Sequence, residues 1–150
     1  LGVGVEKTDI AANSAINILK KYEKVVLVGD KNTKAFKKAE EIFKKFNINH
    51  AHSTQISDDA INISFVYFNE EIEKKEQLVI YCPLLLKDDD NAEASLNLLK
   101  HSEHGLWVGL NNGANAALAA IEILNIDNKY EEPLTKYRRE IAKKVSDSNK

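Results

Sequence analysis

Several short stretches hold residue types able to do chemistry. "VGDKNT" (28–33) ends an apolar run at Gly29 and continues with Asp30, Lys31, Asn32 and Thr33. Free backbone N–H groups at the start of a following helix, joined by a lysine, an asparagine and a threonine, suit a phosphate. The same residues also suit a plain strand-to-helix turn, with Gly29 for backbone freedom and Asn32 or Thr33 as the N-cap. The glycines and the Gly-Lys-Ser/Thr ending of a P-loop or dinucleotide fingerprint are missing. "HAHS" (50–53) sets His50 and His52 at alternate positions. On a strand they share one face, as a metal pair or an acid–base site requires. No third ligand adjoins them and Cys82 alone does not complete a zinc set, so no metal is expected. "KDDD" (87–90) lacks the spacing of a calcium loop and reads as a solvated helix start. Cys82 reads as a buried core thiol, and His101 and His104 as surface histidines.

"LNNGAN" (110–115) stands between a strand-like run and an alanine-rich helix. One residue there needs a free φ angle, and Gly113 is the expected supplier. Asn111, Asn112 and Asn115 exceed what a turn requires. Their amides suit either a ligand or a helix cap that ties adjacent segments together. The small residues that follow, among them Ala116, Ala117 and Ala120, allow close packing against a sheet or a second subunit, and a bulky residue at Ala117 is expected to disrupt an assembly.

These stretches need elements to position them. "KVVLVG" (24–29), "INISFVYF" (61–68), "LVIYCP" (78–83, closed by Pro83) and "LWVGL" (106–110) read as strands, with "LGVGV" (1–5) as a further short one. The four successive apolar residues of 25–28 suit a central parallel strand covered on both faces. "INHAHSTQIS" (48–57) fits neither template. In residues 30–46 a loop opens into an amphipathic helix, with Phe36, Ala39, Ile42, Phe43 and Phe46 at helical spacing. Thr8 or Asp9 suits a helix cap, and helices are also read at 87–101, 112–125 and 130–145. The last places Leu134, Tyr137, Ile141 and Val145 on one face, and 146–150 reads as a frayed tail. Alternation of strands and helices predicts one α/β domain, a layered sandwich with a mainly parallel sheet. Its ligand would bind beyond the carboxyl ends of the strands.

Composition narrows the classes. The chain has 150 residues, 43% apolar and 29% charged, with a formal net charge of −2. That is one soluble domain, with no charge-based reason to expect nucleic acid or an anionic membrane as partner. A single cysteine leaves no internal disulfide framework and points to a reducing, cytoplasmic setting. No apolar run approaches the roughly 20 residues that span a bilayer.

"GLNNGANAALAAIEILNIDNKYEEPLTKYRREIAKKV" resembles the C-terminal end of the PurE family, the aminoimidazole ribonucleotide carboxylases and carboxyaminoimidazole ribonucleotide mutases of purine biosynthesis. "KVVLVGDKNTKAFKKAEEIFKKFNIN" is similar, more weakly, to that family's first strand, phosphate loop and helix. The resemblance implies a flavodoxin-like three-layer fold, a homo-oligomer and a nucleotide-like ligand, with no cofactor. It implies phosphate contacts from Gly29, Asp30, Lys31, Asn32 and Thr33, with Asn111 and Asn112 nearby, and a proton shuttle at His50 or His52. The family's Gly-Ser-x-Ser-Asp loop stands here as Gly29-Asp30-Lys31-Asn32-Thr33, and its Ser-Ala-His-Arg segment as "STQISD" (53–58). Its Gly-Gly-Ala-Ala-His-Leu segment has no counterpart, a strand and helix fall short between Phe68 and Leu78, and residues 1–23 are extra. The resemblance therefore implies a PurE-like fold with degraded catalytic motifs. An inactive nucleotide-binding or assembly domain, or another phosphate-handling α/β enzyme, are the alternatives.

Overall fold

The computed structural model describes residues 11–12, 22–72, 75–88, 90–102 and 105–149. The strand expected at 1–5, the Thr8 or Asp9 cap, most of the extra segment 1–23, Asp89 and His104 lie outside the described residues. The elements run β1 (Val25–Val28), α1 (Lys34–Lys45), β2 (His50–Ser53), β3 (Ile61–Tyr67), β4 (Val79–Leu84), α2 (Asn91–His101), β5 (Leu106–Trp107), α3 (Gly113–Leu124), a 3-10 turn (Asn125–Asp127) and α4 (Glu131–Ser148).

The strands form one five-stranded sheet in the order β2-β1-β3-β4-β5, every pair parallel. This is the flavodoxin-like order of a three-layer α/β sandwich. The two faces follow from the handedness of the crossovers. A right-handed connection lies on one face when the chain steps one way along the sheet and on the other when it steps back. The step from β1 out to β2 puts α1 on the first face. There Val25, Leu27, Ile61, Ile63 and Ile80 share a core with Phe36 and Phe43 of α1 and with Ile121 of α3. The step from β2 to β3 passes over β1 on the second face. It is made by residues 54–60 without a helix, and Ile56 and Ala60 cover Val26 and Val28.

The helical spacing read in α1 is borne out, with Ala35, Phe36, Ala39, Ile42 and Phe43 buried. Each buried phenylalanine contributes about 2–3 kcal/mol of apolar transfer. Several expectations need correction. Pro83 does not close its strand; it pairs with Val66 inside β4. Its missing N–H faces the β5 side, where β5 has already ended, and its carbonyl there accepts from Asn111 N at 2.8 Å. The strand expected over 106–110 keeps only Leu106 and Trp107. The last helix passes 145 and runs to Ser148, since no proline or glycine stops it. Ala116, Ala117 and Ala120 are fully buried in the chain's own core, so Ala117 is not available to a second subunit. Among the described residues no helix is long and apolar enough to cross a membrane.

Candidate functional site

The site begins where β1 stops. Gly29 adopts φ +129°, and a Cβ there would lie 2.9 Å from the Phe65 carbonyl oxygen, so the position needs glycine on both counts. Asp30 then folds the loop onto itself. Its Oδ1 accepts from the Asn32 backbone N–H at 2.8 Å and from Asn32 Nδ2 at 2.9 Å. Thr33 donates from N and Oγ1 to the Asp30 carbonyl, and Thr33 Oγ1 accepts from Phe36 N as the α1 cap. Thr33, one of the two residues expected to cap α1, is therefore its N-cap. Asp30 and Asn32 are already engaged with one another. The first N–H group of the helix, on exposed Lys34, is the one left for an anion, with Lys31 also exposed in the loop, whereas Ala35 is buried.

The two histidines share a face of β2, as alternation requires, but the structure gives them different surroundings. His52 Nε2 lies 2.9 Å from the Gly29 carbonyl oxygen, with its ring edge-on to Phe36. It stands at the mouth of the loop. His50 sits two residues back, its ring 5.4 Å from Phe43 and its Nε2 3.5 Å from Glu40 Oε1. Its Nδ1 is buried without a partner, so the ring proton belongs on Nε2, toward Glu40. Each ring is thus held by a different turn of α1. Among the described residues no group of three or more side chains is arranged to hold a metal ion.

The asparagines at the far side of the site are occupied with backbone. Asn111, not Gly113, supplies the left-handed residue of the turn, at φ +54°. Asparagine tolerates that conformation because its short amide bonds locally; here Asn111 Oδ1 accepts from Leu85 N at 3.1 Å. Asn112 caps α3 by accepting from Asn115 N at 3.2 Å. Gly113 serves close approach instead. Its backbone lies against α1 so tightly that a Cβ would be 1.8 Å from the Ala35 carbonyl oxygen. This contact brings the N-terminal turns of α1 and α3 together at the carboxyl edge of the sheet. Each helix end carries roughly half a positive charge. The arrangement favours an anion there and provides His52 as a ring that can exchange a proton.

Other candidates are not part of this site. Asp90 caps α2 through Ala92 N and Glu93 N. His101 stacks on Phe68 and lies near Trp107. Cys82 is fully buried under Asn112, and burial pushes its thiol up to about 12, with the Asn112 backbone N–H opposing the shift only in part. The thiol is therefore neutral at pH 7 and a poor nucleophile. Ellman's reagent should leave Cys82 unmodified over minutes in the folded protein and titrate one thiol in 6 M guanidinium; fast reaction of the native protein would contradict the burial.

No family model and no curated protein matches the chain. The site must be read from its own geometry. Sequence reasoning missed Asn62, whose fully buried amide holds the loop of the second face. The amide among the two polar residues of "INISF", Asn62 and Ser64, was the available signal.

Proposed function

We propose that the chain is a PurE-like domain that binds a nucleotide-like phosphate ester at the carboxyl edge of its sheet. The convergence of the α1 and α3 N-termini beside His52 carries this reading. The phosphate would take the N–H group of Lys34 with Lys31 as counter-charge, at the usual ligand position of this strand order. If the domain turns substrate over, the reaction is carboxylation or carboxylate migration on aminoimidazole ribonucleotide in purine biosynthesis. His52 would then be the proton shuttle, because His50 is enclosed between Glu40 and Phe43. A homo-oligomer in the cytoplasm, without a bound cofactor, belongs to the same proposal.

Binding without turnover is the second reading. It is favoured by Asp30, a carboxylate already bonded to Asn32 in the loop where the family carries small hydroxyl residues.

Calorimetry with aminoimidazole ribonucleotide, its carboxylated product and ribose 5-phosphate tests both. The expected result is binding of the ribonucleotides at least tenfold tighter than ribose 5-phosphate. His52→Asn should weaken it by about tenfold, the loss of one good polar contact; His50→Asn should leave it unchanged. Binding of the three ligands with equal strength would point to another phosphate-handling protein. Binding of none would overturn the reading. An assay of carboxylate transfer then separates an active domain from a binding one.

A further inference from the structure

The two histidines of β2 differ in what their second ring nitrogen can do. A peptide carbonyl only accepts, so the 2.9 Å contact between His52 Nε2 and the Gly29 oxygen requires the proton on Nε2. In a neutral ring that leaves Nδ1 as a bare lone pair. His52 is exposed, and its Nδ1 makes no hydrogen bond among the described residues. His50 also carries its proton on Nε2, but its Nδ1 is buried without a partner. A second proton there would bury an N–H that nothing accepts, which is costly.

The backbone holds the carbonyl that sets this tautomer. Gly29 adopts φ +129° in a space that admits no Cβ. Val28 and Ser53 are the last residues of β1 and β2 in register. Beyond them the ladder ends, and the Gly29 oxygen goes to a side chain instead. The buried Phe36 meets the His52 ring edge-on at 5.3 Å, so the ring is steadied by α1 as well as by the carbonyl.

We infer that the Gly29 carbonyl is the positioning group of His52 and makes Nδ1 its working nitrogen. The consequence for ligands rests on the reading that an anion binds at the strand end. Neutral His52 has no N–H left to give that anion. Only the imidazolium, with a second proton on Nδ1, can donate to it. Binding therefore takes one proton from solvent onto Nδ1, and release returns it. The protonated ring binds better, so affinity is greatest at low pH and is lost as pH rises through the histidine range. The same nitrogen carries the proton in any transfer to a ligand. The other ionisable groups on the elements packed about the ring are Asp30 and Lys31 of the loop, Lys34, Lys37 and Glu40 of α1, and His50 of its own strand. Carboxylates and ammonium groups do not ordinarily change charge in that range, which leaves His50 as the group to control for.

Sulfate is the probe, because it stays a dianion where phosphate itself titrates. In amide NMR titrations of the whole chain at constant ionic strength, it should shift residues 29–35 and 52. It should bind at least fivefold more tightly at about pH 5.5 than at about pH 8, a range that brackets histidine. His52→Asn should reduce that change to less than about twofold, and His50→Asn should keep it. The His52 side chain packs at an exposed edge, so the melt of His52→Asn should match the parent. In the ligand-free protein at about pH 8, an Nε2–H proton should be observed directly on His52, since an unbonded ring loses that signal to exchange with water. Absence of the signal, or a proton on Nδ1, would overturn the positioning role. Sulfate affinity that ignores pH, a pH dependence that survives in His52→Asn, or no sulfate binding would overturn the proton linkage. These outcomes are distinct from those of the calorimetry. Proton-linked sulfate binding without ribonucleotide binding would leave this inference standing and remove the nucleotide reading; ribonucleotide binding with pH-independent sulfate binding would do the reverse.

Discussion

Gly113→Ala should destabilise the protein by about 3 kcal/mol or more, although alanine is ordinarily the better helix former. The added methyl would sit 1.8 Å from the Ala35 carbonyl oxygen, 2.6 Å from its carbonyl carbon and 3.0 Å from its Cα. That is roughly 1.7 Å inside normal van der Waals separation, against backbone that no rotamer change can clear. Either α1 or α3 must move. Both are pinned by fully buried residues, Phe36 and Phe43 on one side and Ala116, Ala117 and Ala120 on the other. A domain of this size has about 5–15 kcal/mol in total, so the loss should lower the urea midpoint sharply. Gly109→Ala is the control: a Cβ there meets only Asn112 Cβ at 4.0 Å, and its melt should stay within about 0.5 kcal/mol of the parent. If the two variants melt alike, the helices do not touch as described. Because the same contact brings two helix N-termini together, Gly113→Ala should also weaken anion binding in whatever fraction remains folded.

That glycine shows what was legible in the sequence and what was not. Its presence in a strand-to-helix turn suggested backbone freedom, and the freedom turned out to be supplied by Asn111 at φ +54°. A close helix–helix contact depends on where α1 lies in space, and no local pattern encodes that. Two strands with both faces covered were readable because burial on both sides demands continuous apolar residues, Val25 to Val28 and Val79 to Cys82, whereas β3 is as buried but carries Asn62 and Ser64 between its apolar residues. The edge strand β2 was not. "HAHS" pairs with β1 alone and keeps Ala51 and His52 exposed, so nothing selects apolar residues there. Helix α1 buries a full stripe and declares itself; α2 buries only Ala94 and leaves Leu96 and Leu99 exposed, which blurs its period. At the site, the sequence singled out the loop Gly29–Thr33 and the pair His50 and His52, and the structure sets His52 beside Gly29. It could not distinguish the two rings, because Glu40 and Phe43 reach His50 only through the packing of α1 on β2. Nor could it tell that the Asn111 and Asn112 amides bond to Leu85 N and Asn115 N.

The second large effect belongs to Asn62. The chain returns from β2 to β3 across β1 through residues 54–60, a segment without regular structure that must nonetheless lie against Val26 and Val28. Backbone in such a place needs partners, and one side chain provides them. Asn62 is fully buried; its Nδ2 donates to the carbonyls of Ser57 at 2.8 Å, Ala60 at 3.1 Å and Leu78 at 3.1 Å. Its Oδ1 accepts from Ser57 N at 2.8 Å. Asn62→Leu keeps the size and removes every one of these bonds while the backbone groups stay. Each buried group left without a partner costs about 1–3 kcal/mol, and water reaching Ser57 from the loop side will recover part. A net loss of about 3 kcal/mol follows, comparable with the Gly113 effect but reached through desolvation instead of overlap. The two are separable by amide exchange. Asn62→Leu should release the Ser57 N–H to exchange at rates far above those of β1, while α1 keeps its protection; Gly113→Ala should loosen α1 and α3 together. If Asn62→Leu melts within about 1 kcal/mol of the parent and Ser57 stays protected, the segment is held by the burial of Ile56 and Ala60 alone. The missing helix of this crossover would then be replaced by apolar contact. On the geometry described, it is replaced by a single amide that bonds the turn to β3 and to Leu78 just ahead of β4, which is why an asparagine sits fully buried in that strand.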